Sequence, residues 1–524
     1  MMALGFAPWG ILPDGVLPAE FEAPQGLSTL RLSTLPYHTD VSDIPASVGY
    51  RGVILGDVEI SVDGSLALSG DRAAPVTVAA VQLWDPDSSL SGPLEDLGLA
   101  AGRAATVRLA EVRDRRASDL GTPLRDTAPF FAGRVRGVRR AQGGRATLDL
   151  EDATLALDTP LQSVRYGGTG GLDGPETMDG RPRPVLLGQV YNAAPVSLGN
   201  LDLGDGALPT YQYHFRAADG LDAVRIRGVP QALVGTAPAV GQAKDWPGLG
   251  VFQIGSSPDG DVTFGGRGDA VGGYVDGIAD VCWRICAGLG PQLGEGDRDS
   301  ASWQFAGADL SGAIGWYQAA PEMTALQALG EILGACRALI AGGRDGRLRL
   351  VDPFTDATDV QFDLQPAMLV AEPMPVPLDG ALSPTPAEVL VEYGRNWSVV
   401  SSIAGAVPEA DRQRLADSEA PVARWVDAGV EARVATRRVL RLPGLYATAA
   451  GAQARADRIG AILAAGPRLV WVETDRYLGQ IDAGTLGRVA FPALGLDAGL
   501  SGVVVGWSEG GAARRVRALM FGRV

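Results

Sequence analysis

The side chains able to do chemistry are few and scattered. Histidine occurs twice, at His38 and His214. Neither has a cysteine or carboxylate at metal-ligand spacing, so a histidine-based metal site is not expected. A lone catalytic histidine stays open. Cysteine occurs three times, at Cys282, Cys286 and Cys336. Cys282 and Cys286 are four apart in a helical pattern, which puts both on one face. Their neighbours Val281, Trp283 and Ile285 are apolar, so the pair reads as core. The C-x-x-C spacing of redox and zinc motifs is missing, and three thiols are too few for a disulfide framework.

One nucleophile-elbow pattern occurs, Gly506-Trp507-Ser508-Glu509-Gly510. That device needs strand, sharp turn and helix, with a histidine later in the chain. Here strands are expected on both sides and no histidine follows, so it reads as a plain turn between strands. Arg267-Gly268-Asp269 is an adhesion-type tripeptide, and with Gly265-Gly266 it approaches a calcium-repeat unit. Neither pattern recurs, and a loop without a ligand is expected. Residues 167–174 are glycine-rich but lack the Lys-Ser/Thr and the helix of a phosphate cradle. Asn396-Trp397-Ser398 is a formal glycosylation sequon. The N-terminus has no basic region before its apolar residues and is broken by prolines, so no signal peptide is expected and the sequon carries no weight. Asp149, Glu151 and Asp152 cluster in sequence, but spacing alone does not pair carboxylates for glycosidase work. No catalytic, cofactor-binding or metal-ligating residue is assigned, and no cofactor is expected.

These residues must be carried by a β-rich scaffold. Gly and Pro, 71 and 35 in 524 residues, come to about a fifth of the chain. That is turn-rich, yet below the composition of a low-complexity chain. With 46% hydrophobic and 20% charged residues, burial offsets chain entropy and disorder is not expected. No apolar run reaches the ~18 residues of a membrane span, so a soluble protein made in a bacterial-type cytoplasm is expected. The net charge is −16, which gives no footprint for stable nucleic-acid or membrane binding. Lys244 is the only lysine, a codon-bias signature rather than a chemical one.

Along the chain, residues 1–45 read as an extended arm whose apolar residues (Phe6, Trp9, Ile11, Leu12, Val16, Leu17, Phe21) should dock on the body or on a neighbouring subunit. Residues 46–160 form a first β-barrel domain, with strands near 58–61, 76–84, 103–109, 130–139 and 145–150. Arg134 and Arg136 should share one strand face, opposite Val135, as a solvated face or a subunit contact. Residues 161–195 are a Gly/Pro-rich connector ending in a strand at 185–191. Residues 196–275 form a β-sandwich-like unit. Residues 276–374 form a small α+β unit, with helical spacing over 275–289 (Ile278, Val281, Ile285, Leu289) and 323–340 (Leu326, Leu329, Leu333, Cys336). Residues 375–524 form a second β-barrel domain with one Ala-rich helix at about 449–465.

The two barrels look related. Residues 101–109 align with 483–491, and 131–138 with 500–507. Each pair is followed by a Gly-Gly turn (Gly143-Gly144, Gly510-Gly511) and an arginine-containing strand. Each is preceded by a strand containing tryptophan, Trp84 or Trp471. A duplicated unit doubles the equivalent surfaces per subunit, so a trimer would present a pseudo-sixfold ring.

Two segments carry a resemblance. Residues 166–195 contain Tyr166-Gly167-Gly168-Thr169-Gly170-Gly171 and then Gly180-Arg181-Pro182-Arg183-Pro184, Gly188 and Asn192-Ala193-Ala194-Pro195. Residues 391–399 contain Glu392-Tyr393-Gly394-Arg395-Asn396-Trp397. Both segments, with the closing β domain, resemble tail-tip or baseplate hub proteins of long-tailed bacteriophages and related gene-transfer particles. The resemblance spans about residues 50–524 and excludes the arm. It implies a structural protein of the virion tail tip: a homotrimeric ring of two similar β-barrels per chain, between the distal tail ring and the central fibre. That ring would enclose the tape-measure protein and the channel for DNA. It implies no chemistry. Residues 167–171 and 180–195 would tie the first barrel to the insert, the β unit and α+β unit at 196–374 that stand between the two barrels, with Gly180, Pro182, Pro184 and Gly188 setting backbone shape. The acidic balance fits a channel wall that repels passing DNA. The rival readings are a peptidoglycan-degrading tail enzyme using Asp or Glu, and a receptor-binding adhesin.

Overall fold

The computed structural model describes residues 15–16, 19–21, 30–33, 37–43, 46–55, 58–65, 68, 74, 76–86, 90, 104–111, 128–319, 322–356, 358–378, 380–434, 436–510 and 515–524. Among these residues strands dominate, in four sheets. The first β unit has five strands: β1 (Glu59–Asp63), β2 (Val76–Trp84), β3 (Ala104–Glu111), β4 (Ala128–Ala141) and β5 (Arg145–Glu151). Their spatial order is β1-β2-β5-β4-β3, antiparallel throughout. Alternation drives this pattern: in β5 Ala146, Leu148 and Leu150 are buried, with less buried residues between them. Ala19–Phe21 pairs with β3 and with Leu30–Ser33, and Leu30–Ser33 pairs with Gly49–Gly52. Phe6, Trp9, Ile11, Leu12 and Leu17 lie outside the described residues.

The middle of the chain starts with a nine-stranded sheet that includes β6 (Val185–Ala193), β7 (Ala218–Ile226) and β8 (Val262–Asp269). Three helices follow: α1 (Ile278–Gly288), α2 (Ser300–Asp309) and α3 (Ala325–Cys336). The apolar stripe of α1 is buried as its spacing demands: Ile278, Val281 and Ile285 are 0–1% exposed. Helix α3 starts with a reciprocal cap, Thr324 to the Gln327 N–H and Gln327 back to the Thr324 N–H. It ends at Arg337, whose φ of 56° is left-handed. The helix expected over 323–340 therefore stops early, and Leu339–Gly342 turns into a strand paired with Leu348–Val351. An unbroken apolar run reads as either element. Helix α2 carries no apolar stripe, so spacing does not predict it.

The short strand β9 (Met374–Val376) precedes β10 (Glu388–Tyr393), which joins Val422–Val426 and Val439–Tyr446 in a three-stranded sheet. Helix α4 (Ala449–Ala464) packs on that sheet, and Gly460 admits Trp425, whose ring sits 2.1 Å from where a β-carbon would be. The closing β unit is β11 (Arg468–Thr474), β12 (Leu486–Phe491), β13 (Leu496–Gly510) and β14 (Arg515–Arg523). With β9 its order is β9-β11-β14-β13-β12.

Candidate functional site

The two β units are equivalent strand by strand. In the first, Ala104 faces Arg134 and Val107 faces Phe131; in the second, Leu486 faces Val503 and Val489 faces Leu500. These are the residue pairs that the sequence alignment of 101–109 with 483–491 and 131–138 with 500–507 requires. The bulge is shared too. Partners skip Arg136 between Val135 and Gly137, and skip Val505 between Val504 and Gly506. The edge strands correspond as well: Glu59 pairs with Ala80, and Met374 with Trp471, the register equivalent of Ala80. The strand before each aligned pair contains its tryptophan, at different registers: Trp84 ends β2, while Trp471 lies mid-strand in β11.

A glycine recurs for a steric reason. A β-carbon on Gly133 would meet the Glu151 carbonyl oxygen at 2.3 Å, and one on Gly502 would meet the Phe521 carbonyl oxygen at the same distance. Both positions therefore need glycine.

The units are not separate. Strand β13 pairs antiparallel with β1, Gly506 facing Asp63 and Gly510 facing Glu59, so hydrogen bonding runs unbroken from one unit into the other. They also share one core, in which Ile60, Val62, Val81 and Leu148 cluster with Val472, Val504, Trp507 and Met520. The segment 506–510 is thus corrected from a turn to a strand bonded on both edges, and Ser508 is a ladder residue.

A buried arginine ties the units from outside the sheet. Arg344, on the turn after Leu339–Gly342, pairs with Glu509 at 2.7 Å, and both side chains are buried. Its Nε donates to the Ile481 carbonyl and its backbone N–H to Asp482. Its guanidinium lies 3.6 Å from the Trp507 ring centroid, and Trp507 Nε1 donates to Asp482. The Arg344 carbonyl accepts the Ala132 N–H in β4 of the first unit. Burial pulls the Arg344 guanidinium below its ordinary value, against the raising effect of Glu509 and Asp482. A second buried pair, Arg455 to both oxygens of Asp352 at 2.7 and 2.8 Å, joins α4 to the residue that follows the strand at 348–351.

The glycine-rich connector is held by Asp173. Its carboxylate accepts the Gly167 N–H (2.9 Å), the Thr169 hydroxyl (2.8 Å) and Arg183 (2.6 Å). The Gly167 bond, then the Thr169 bond, hold that carboxyl below its usual range. Gly180 and Gly188 have φ of 74° and 60°, and a β-carbon on Gly188 would strike the Ile314 carbonyl. The two segments that carry the sequence resemblance meet at the far end of β6. Asn192 donates to the Asn396 side chain at 2.7 Å and to the Ser398 carbonyl at 2.6 Å. Asn396 in turn donates to the Leu415 and Asp417 carbonyls. Tyr191 and Asn396 form a parallel bridge. The sequon asparagine is therefore a buried connector.

The remaining candidates are placed as follows. Arg267-Gly268-Asp269 is corrected from a loop to part of β8. Asp269 is buried and bonded to Arg216 and Arg284. Burial pushes its carboxyl up, but His214 and Arg216 beside it overrule that and hold it well below the usual range. His214 is fully buried and accepts the Leu186 N–H at Nδ1. Its Nε2 faces the Asp269 carboxylate at 3.7 Å. Burial lowers the His214 pKa, so the ring is neutral at pH 7 with its proton on Nε2. Cys282, Cys286 and Cys336 are buried in one core, where burial pushes each thiol up, Cys336 to about 11. Asp149 holds Arg139 at 2.6 Å, Glu151 faces Arg136 at 3.5 Å, and Asp152 caps the Thr154 N–H. Val135 is buried between Arg134 and Arg136, as the strand alternation requires. No helix among the described residues is long and apolar enough to cross a membrane.

No protein-family model and no curated protein matches the chain. Solved structures to which it is similar include two described as tail proteins and one chain of a virion. One is the 43 kDa tail protein of prophage MuSo2 from Shewanella oneidensis, at 11% identity and a TM-score of 0.41, covering 97% of this chain and 98% of that one. Another is the tail protein from Neisseria meningitidis MC58, at 9% identity and a TM-score of 0.41, covering 97% and 96%. A chain of the virion of a native gene transfer agent particle matches at 16% identity and a TM-score of 0.35, covering 71% and 92%. Likenesses of this depth carry no activity from one chain to another.

Proposed function

We propose that the chain is a structural hub of a phage-type tail tip, assembling as a trimer whose six equivalent β units form a pseudo-sixfold ring. The tail setting is what the two motif segments imply. The observation that supports the ring is how the duplicated units are joined. In the chain, the outer edge of β1 docks on the 506–510 edge of β13. This is a head-to-tail contact between equivalent units, which uses one edge of each and leaves one edge of each over. Among the described residues, no strand is bonded to the outer edge of β9, the equivalent of β1, or to the edge of β4 at 137–139, the equivalent of 506–508. Repeating the contact between copies closes a ring, with Arg139 of one copy opposite Val376 of the next.

In this reading the ring sits between the distal tail ring and the central fibre, surrounds the tape-measure protein, and presents a net negative lumen to passing DNA. It performs no catalysis. Asp149, Glu151 and Asp152 are each engaged in structural bonds, and Ser508 is locked in a ladder. Electron microscopy of the purified protein should show a threefold ring of six similar lobes; a monomer with an open cleft, or a strongly positive lumen, overturns the reading. Register is tested by Arg139→Cys with Val376→Cys. Ser508 and Ser61, the equivalent pair, face each other in the ladder, so oxidation should link copies into a closed trimer. The three native thiols are buried and should stay silent. Absence of cross-linking in an assembled ring would exclude this register.

A further inference from the structure

We infer that the junction of the two motif segments holds a binding site for a carboxylate from another polypeptide, an Asp or Glu side chain or a chain end. The inference stands apart from the ring proposed above. A cavity of about 210 Å³ opens between β6–β8 and the strand that ends at Tyr446, and Arg225, Arg395 and Arg414 all line it. None of these three guanidiniums has a carboxylate or a hydrogen-bond acceptor among the described residues, and Arg225 Nη1 is buried without a partner. Their contacts are aromatic instead. Arg414 lies 3.8 Å and Arg225 5.1 Å from the same Tyr191 ring centroid, and Arg395 lies 4.4 Å from the Trp397 centroid. The Arg225 and Arg414 guanidiniums are therefore no farther apart than the sum of those two distances, close to a Debye length of roughly 8 Å, where like charges still repel. Elsewhere among the described residues arginines commonly have carboxylate partners, as Arg216, Arg344 and Arg455 do, and in the sequence the acids outnumber the bases by 16. Three unpaired guanidiniums at one cavity are what an incoming oxyanion would compensate.

Size and charge select the ligand. The cavity is smaller than the ~300 Å³ at which drug-sized ligands begin, so it takes the end of a side chain rather than a nucleotide. Asp222 also lines it, bonded to the Gln189 amide at 2.9 Å and paired with Arg267 at 3.3 Å. Its carboxylate oxygens, their charge partly offset by Arg267, disfavour a phosphate dianion more than a singly charged carboxylate. Guanidinium forks match a carboxylate bidentately, and the acidic surface of the chain discourages a polyanion from approaching along its length.

The test is a titration of the full chain with a hexapeptide of alternating glycine and glutamate, with acetate and inorganic phosphate as separate arms. The readouts are melting temperature and tryptophan fluorescence, to which Trp397 should contribute. The peptide should raise the melting temperature, and acetate should compete with it at higher concentration. Arg225→Gln and Arg414→Gln should each weaken the peptide by roughly tenfold, and Trp397→Phe should erase the fluorescence change. Without ligand the two arginine variants should melt no lower than the natural chain. Phosphate binding more tightly than the peptide overturns the carboxylate assignment. Equal responses from the natural and Gln chains overturn the site. If a variant fails to fold, phenylglyoxal labelling of the natural chain decides. The peptide must protect Arg225, Arg395 and Arg414 from modification, and unprotected arginines refute the proposal.

Discussion

The two β units share strand order, register and bulge, yet their equivalent faces carry opposite chemistry. On the closing unit, Val505, Leu519 and Phe521 are buried in the core made with α1, α3 and α4. Their register equivalents on the first unit are Arg136, Asp149 and Glu151. There the charges pair with one another across the strand face, Arg139 with Asp149 and Arg136 with Glu151. The backbone plan is therefore independent of this face, and side-chain chemistry decides what lies over it. The insert covers the closing unit and leaves the first unit's face to solvent or to another chain. The face that both units hold in common is the inner one, where Val81 and Leu148 meet Val472 and Trp507.

The largest effect is expected at the tie between the units. Arg344→Met removes the buried guanidinium paired with Glu509 and should destabilise the chain by about 3–5 kcal/mol, because that pair is broken from one side while Asp482 keeps Arg349 at 3.6 Å. Urea unfolding measures it. A loss under about 1 kcal/mol would mean that water or relaxation replaces the guanidinium. The face contrast is broken next by exchanging equivalent residues. Val505→Arg buries an unpaired charge and should cost at least about 3 kcal/mol. Arg136→Val touches an exposed ion pair and should stay within about 0.5 kcal/mol. Equal effects would refute the assignment of one face as covered and the other as open.

Much of this architecture is legible in the amino-acid sequence. Alternation and turn glycines place the strands, and the repeat is visible because Gly133 and Gly502 meet the same carbonyl in each copy. The helix stripes are legible because α1 and α3 bury one face each. Three features are not. The strand at 506–510 hides behind its glycines, which serve close packing at the seam: a β-carbon on Gly506 would meet the Val62 carbonyl at 2.7 Å. The Arg267-Gly268-Asp269 triplet gives no local sign that Asp269 faces Arg216, His214 and Arg284, since those partners come from other elements. Arg344 likewise looks like a turn residue, and only the fold brings Glu509 to it from 165 positions away.

The edges of the two units offer a sharper contrast. Strand β1 presents Ile60 and Val62 to β13, and both are buried. The equivalent residues of the closing unit are Pro375 and Pro377, both exposed. Proline has no N–H, so the ladder from β9 to β11 must run through Met374 and Val376, which turns Pro375 outward. The intrachain seam thus has donors and acceptors, while the open edge has acceptors alone. Edges of this kind resist uncontrolled strand addition. Ile60→Pro with Val62→Pro should copy that weakness into the seam and cost at least roughly 2–3 kcal/mol, about one hydrogen bond each, with the lost burial of two core side chains added to it. The reverse change, Pro375→Ile with Pro377→Val, should leave the melting temperature within a few degrees but promote association, read as larger species in light scattering. Association that is unchanged would show that β9 is not an interface.

The smallest effect separates the insert from both units by its response to acid. His214 is buried with its pKa lowered by burial, so it stays neutral in the fold while the unfolded chain takes up a proton below about pH 6.5. The unfolded state then binds more protons, and stability falls as pH falls, by at most about 1.4 kcal/mol per pH unit. Asp269 adds a loss at lower pH. Its folded pKa is depressed, so its contribution is present above the unfolded carboxylate value of about 3.9 and fades as pH drops through the folded one. The Arg344 tie contains no histidine, so the sheet should not share the first step. His214→Asn keeps an acceptor for the Leu186 N–H and should flatten the dependence between pH 7 and pH 5 in urea titrations. A slope that survives the substitution would place the acid-sensitive group in the β units instead, and would remove the distinction drawn between them and the insert.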